Sequence, residues 1–178
     1  MATMQPAWRR HPPRLMFRLL LLAISVIAGH AQAAETFTGI VSHVSDGDTL
    51  WVQPRAGGPP RKLRIDGIDA PEICQAGGEA ARRALAQRAL HRPVAVTVRR
   101  HDSYGRGLAR VVLKGRDLGA DMVDAGHAWS YRWRQNLGPY AAQEARARQA
   151  GRGLFALDQL ERPQDFRKRH GSCYRPRQ

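Results

Sequence analysis

The chain has 178 residues, with 29 lysines and arginines against 15 acids and a formal charge of +14, a length suited to one domain and a charge suited to a polyanionic partner. Its two cysteines, Cys74 and Cys173, have a spacing that fits neither a zinc site nor a CxxC redox centre, and the histidines form no HxH or HExxH pattern. With no GxSxG motif and no Walker-type loop, neither a serine nucleophile nor chemistry driven by a nucleoside triphosphate has support.

Arg9, Arg10, Arg14 and Arg18 precede an apolar run from Leu19 to about Gly29, followed by Ala31-Gln32-Ala33. Residues 1–33 therefore read as a secretory signal peptide cleaved after Ala33, since the apolar stretch is shorter than the roughly 20 residues a bilayer span needs. Those residues hold four arginines and no acids, so the remaining 145 residues keep a formal charge of +10. The basic character belongs to the mature domain.

Thr36 to Val44, Thr49 to Gln53, Arg61 to Ile65, Val94 to Arg99 and Gly107 to Leu113 read as five short strands. Apolar alternation is clearest at Leu63, Ile65 and at Val94, Val96, Val98. A turn-rich connector from Pro54 to Pro60 makes a hairpin of the second and third strands, and such a return can set Asp48 beside Asp69. Gly78 to about His91 reads as a helix with Ala81, Ala84, Leu85 and Ala89 on one face. Asp117 is placed to cap a second helix, carrying Leu118, Met122 and Ala125, that ends near Gly126. A third, alanine-rich helix is expected from Pro139 to before Gly151, and the basic tail, residues 159–178, is expected to be irregular. In an oxidising compartment Cys74 and Cys173 suggest a disulfide tethering that tail, worth about 4–5 kcal/mol in the ideal loop-closure model; two free thiols are the alternative. The fold class is α+β, five strands and about three helices, in agreement with an oligonucleotide/oligosaccharide-binding (OB) β-barrel over residues 34–158.

Within this frame Asp48, Asp69 and Glu72 stand among short strands with Arg64 and Arg106. Cleaving a phosphodiester needs that combination. Carboxylate oxygens hold a hard divalent cation, a further carboxylate orients or deprotonates water, and guanidinium forks neutralise charge on phosphate oxygens. The strings Asp46-Gly47-Asp48-Thr49, Arg64-Ile65-Asp66-Gly67-Ile68-Asp69-Ala70-Pro71-Glu72 and Asp102-Ser103-Tyr104-Gly105-Arg106-Gly107 resemble, in order and spacing, the staphylococcal nuclease (thermonuclease) family. The resemblance runs roughly from Thr36 to Leu157.

That resemblance implies the OB barrel and hydrolysis of DNA and RNA with little sequence preference. Water attacks phosphorus, the 5′-oxygen leaves, and 3′-phosphate ends remain. It implies Ca²⁺ held by Asp48, Asp69 and the backbone carbonyl of Ala70; the reference family member has threonine there, but a carbonyl donor does not depend on the side chain. It assigns Glu72 as general base or as the group that orders the water, leaves those two roles open, and matches Arg64 and Arg106 to the phosphate clamp. Asp46 and Asp102 match supporting acidic positions.

Tyr104 is placed to stack on a base or sugar. Trp129, Tyr131 and Trp133 fall where the family sets tyrosines over the nucleotide, without one-to-one alignment. They either stack on substrate or pack the last helix. The segment after Cys74 is shorter than the family's lysine-bearing loop, so nucleotide specificity and processivity do not carry over. The expected molecule is a secreted or periplasmic monomer acting on single-stranded nucleic acid or locally open duplex. The competing expectation is a non-catalytic OB-fold nucleic-acid-binding module, which would lack some of the five positions filled here.

Overall fold

Alternation of side chains across a strand decides what faces the barrel interior. The computed structural model describes residues 34–158, 160–171 and 173, so the leader expected over residues 1–33 lies outside the described residues. Strand β1 (Glu35–Val44) points Gly39 and Val41 inward, and a bulge between Val41 and His43 re-phases it so that Val44 is buried too. β2 (Thr49–Pro54) and β3 (Arg61–Ile65) follow as antiparallel neighbours, with Leu50, Val52, Leu63 and Ile65 inside. After the two-residue β4 (Ile68–Asp69) and helix α1 (Gly78–Ala89), β5 (Pro93–His101) buries Val94, Val96 and Val98, and β6 (Gly107–Leu113) buries Ala109 and Val111.

β5 joins β1 to β6, and β3 closes the ring by pairing parallel with β6. Gly107 makes that closure possible. It lies opposite Leu63, where a Cβ would come within 3.0 Å of the Leu63 side chain and 3.1 Å of Val98. The closed five-stranded OB barrel expected from the sequence is thus formed, and closure satisfies the strand edges.

α1 lays Ala81, Ala84, Leu85 and Ala89 on the barrel. β7 (Arg116–Asp117) leads into α2 (Leu118–Asp124), whose first turn is capped by the Asp117 carboxylate accepting from the amides of Gly119 and Ala120. β8 (Trp129–Ser130) pairs antiparallel with β4. α3 (Ala141–Gln149) begins two residues after Pro139 and turns Glu144 and Ala147 inward, before a short 3₁₀ turn at Gly153–Ala156.

The tail departs from expectation. Residues Pro163–His170 form a fourth helix, α4, with proline in its first turn and four consecutive basic residues, Arg167 to His170, in its last, where cations suit the helix dipole. Cys74 and Cys173 form a disulfide with Cα atoms 5.7 Å apart. Among the described residues no helix is long and apolar enough to cross a membrane.

Candidate active site

The β1–β2 turn sets the first carboxylate. Asp46 Oδ1 accepts the Asp48 amide at 3.1 Å, and Gly47 packs so closely that a Cβ would fall 2.6 Å from that of Ala81 and 2.7 Å from that of Ala70. Asp48 is 3% exposed. Its Oδ1 accepts from the Thr49 hydroxyl at 3.0 Å and its Oδ2 from the Ala70 amide at 3.2 Å, while its backbone carbonyl takes the Ile65 amide at 2.8 Å. The last bond ties the β1–β2 turn to the end of β3. Asp69, 6% exposed, is held by the pairing of β4 with Trp129 on β8.

Arg64 unites the two aspartates. It projects from β3 between the inward-facing Leu63 and Ile65, placing Nη1 2.6 Å from Asp48 Oδ2 and Nη2 2.9 Å from Asp69 Oδ1. Burial works against its charge, but Asp48, Asp69 and Asp46 outweigh burial and hold the guanidinium above its usual range. Burial pushes the Asp69 carboxyl up, offset in part by Arg64. Burial and the nearby Asp48 carboxylate push Asp46 up to about 7.

Arg106 comes from the β5–β6 turn. Asp102 Oδ1 accepts the amides of Tyr104 and Arg106 at 2.9 and 3.0 Å, and its Oδ2 takes Arg106 Nε at 2.8 Å. With Nε fixed, Nη1 reaches to 3.4 Å from the Thr49 hydroxyl that donates to Asp48. Tyr104 is 83% exposed, its ring centroid 5.4 Å from the Arg106 guanidinium carbon.

Glu72 follows β4 across Pro71, and its amide donates to Gln75 Oε1 at 3.1 Å. Its carboxylate meets a residue that the sequence did not single out: Arg167 on α4, whose Nη1 is 2.6 Å from Glu72 Oε1 and 3.6 Å from Asp69 Oδ1. All five expected residues thereby join one chain of polar contacts, running Arg106, Thr49, Asp48, Arg64, Asp69, Arg167, Glu72.

The aromatic expectation divides. Trp129 is 2% exposed and edge-on to Phe155 at 6.2 Å, so it packs the interior and offers no face to a nucleotide. Tyr131 and Trp133 are exposed.

Among the described residues no three His, Cys, Asp or Glu side chains group as a metal cage. Asp48 and Asp69 instead converge on a single cationic group, so the two carboxylates can share one positive centre.

The sequence model described as "Staphylococcal nuclease homologue" matches residues 62–156. The chain belongs to the staphylococcal nuclease family. Relatives include an "Uncharacterized endonuclease" of Haemophilus influenzae, 30% identical over 87% of this chain and 85% of that protein. "Protein ParB" of Escherichia coli is 36% identical over 73% of this chain and 78% of its own, and a "Micrococcal nuclease" of Shigella flexneri 33% identical over 74% and 81%. The span matched to the staphylococcal nuclease family takes in Arg64, Asp69, Glu72 and Arg106; Asp48 precedes it, and Arg167 and Cys173 follow it.

Proposed function

We propose that this staphylococcal nuclease homologue is a secreted or periplasmic, Ca²⁺-dependent phosphodiesterase that cuts DNA and RNA with little sequence preference and leaves 3′-phosphate ends. The observation that carries the reading is the unbroken polar chain that puts two guanidinium forks, two buried aspartates and Glu72 in one site. An oxidising compartment agrees with the disulfide. The protein acts as a monomer on single-stranded or locally open nucleic acid, and the exposed Tyr104, Tyr131 and Trp133 offer sequence-tolerant stacking faces.

Asp48, Asp69 and the Ala70 carbonyl would hold the Ca²⁺, whose chemistry when bound is Lewis-acid stabilisation of charge on the phosphoryl oxygens. Glu72 orients the attacking water and accepts its proton at a carboxylate oxygen. Arg64 exchanges carboxylate partners for phosphate oxygens, so its donors stay satisfied throughout. Arg106, braced through Nε by Asp102, has only a long 3.4 Å contact from Nη1 to the Thr49 hydroxyl to give up before its terminal nitrogens donate to the same phosphate as equatorial charge develops.

The reading is tested by incubating the purified chain with single-stranded DNA in Ca²⁺ and then in chelator. Scission in Ca²⁺ that stops with chelator is expected; binding without scission in both would make the protein an OB-fold binding module. Arg106→Ala is expected to lower kcat by about 10²–10³-fold, as for loss of other preorganised donors. Its fold should survive, because Arg106 lies in an exposed turn, and a circular dichroism melt checks that point. A kcat within threefold of the parent would remove Arg106 from the clamp.

A further inference from the structure

Arg167 lies beyond the span matched to the family, yet its guanidinium reaches the centre of the site. The chain holds it there from both sides. Ahead of it, the Glu161 carbonyl accepts from Gln75 Nε2 at 2.7 Å, and Arg162 Nη2 lies 3.7 Å from the buried Glu144. Behind it, Cys173 is bonded to Cys74, two residues after Glu72, across a sequence separation of 99. Gln75 also accepts the Glu72 amide, so one side chain links the backbone of Glu72 to the entrance of α4.

A partly exposed ion pair stabilises a fold by only about 0–1 kcal/mol, which is little return for so many attachments. The posture of Arg167 points elsewhere. Like Arg64 it rests a terminal nitrogen on site carboxylates, and like Arg64 it touches Asp69. Its side chain is 38% exposed, so it is open to a ligand that arrives beside Glu72. The phosphorus attacked by a water on Glu72 must sit within a few ångströms of that carboxylate. A guanidinium 2.6 Å from Glu72 is therefore within reach of the oxygens on that phosphorus.

We propose that Arg167 is a third phosphate-binding arginine, donating to the scissile phosphate, and that the Cys74–Cys173 disulfide is the tether that positions it. This rests on the nuclease reading above. On substrate arrival Arg167 trades Glu72 for a phosphate oxygen, which frees Glu72 for the water.

The test is cleavage of a single-stranded oligonucleotide in Ca²⁺ over a series of salt concentrations, comparing the parent with Arg167→Ala, Arg167→Lys and the double variant Cys74→Ser/Cys173→Ser. Arg167→Ala is expected to raise KM about tenfold or more. It should also flatten the slope of log(kcat/KM) against log salt by about 0.7, the share of one phosphate contact on a single strand. Arg167→Lys should restore the slope, because the charge returns, and only part of the KM, because the fork does not. The double serine variant should raise KM in the same direction. A packing role alone would leave the salt slope unmoved. An unchanged KM and slope in Arg167→Ala would overturn the proposal, and faster cleavage would show a plug restraining Glu72 instead. An unchanged KM in the double serine variant would overturn the tether. If the parent cuts nothing, the nuclease reading fails separately, and the same salt slopes read from oligonucleotide binding by fluorescence anisotropy still decide the role of Arg167.

Discussion

Replacing Glu72 with glutamine is expected to lower kcat by about 10²–10⁴-fold while leaving the affinity for single-stranded DNA within a few-fold of the parent. Glutamine keeps the shape of the side chain and an amide oxygen that can still accept from Arg167 Nη1, now 2.6 Å from Glu72 Oε1. It cannot take up a proton. A loss confined to kcat would therefore separate the chemistry of Glu72 from its place in the polar network, and anisotropy of a labelled oligonucleotide in chelator supplies the affinity. Asp48→Asn should behave differently, raising the Ca²⁺ concentration needed for half-maximal rate before it lowers the rate at saturation, since it removes charge from the expected cation ligands. Near-normal turnover in Glu72→Gln would exclude Glu72 as the base.

The barrel was legible because its strands carry a period of two strong enough to read residue by residue, as at Leu63 and Ile65 or Val94, Val96 and Val98. β4, β7 and β8 lie outside the five expected strands, since they have two residues each and no pattern can show itself at that length. Trp129, Tyr131 and Trp133 recur at every second position, the spacing of one face of a strand. The strand lasts only through Ser130, however, and the chain then turns, with Trp133 bridged to Asn136 and Arg134 at a φ of 54°, so the three rings do not share a side. α4 buries only Pro163 and carries no apolar stripe, so its sequence shows no helical period.

The site shows the same division. Asp48, Asp69, Glu72, Arg64 and Arg106 sit in strings whose glycines and prolines mark tight turns at strand ends, which gives them context. Arg167 is one basic residue among 29. The one signal that bore on it was Cys173, because a bridge to Cys74 forces the tail back to within reach of Glu72.

Glu144→Ala is expected to destabilise the fold by about 1–3 kcal/mol, chiefly the cost of leaving a buried amide without its acceptor, because the arginines that Glu144 also serves are 35–41% exposed and can turn to water. The Glu144 side chain is 2% exposed and serves several donors at once. The Ser130 amide lies 3.0 Å away, Arg132 Nη2 3.1 Å, Arg148 Nε 2.9 Å and Arg162 Nη2 3.7 Å. Alanine would leave the amide of the fully buried Ser130 without its acceptor and three guanidinium groups without their common counter-charge. Their crowding is already felt in the intact protein, where burial and then the nearby Arg132 hold Arg162 below its usual range.

The damage from Glu144→Ala should not stay local. Ser130 belongs to β8, which pairs with the strand that carries Asp69, and Arg162 leads directly into the helix that carries Arg167. Loss of the carboxylate should thus loosen both sides of the site, and cleavage should fail at a lower temperature than global unfolding. Urea titration of the oxidised protein gives the stability change, and activity followed through the thermal transition gives the local effect. A change below about 1 kcal/mol would mean that Ser130 finds another acceptor, so that Glu144 would not be the anchor of β8.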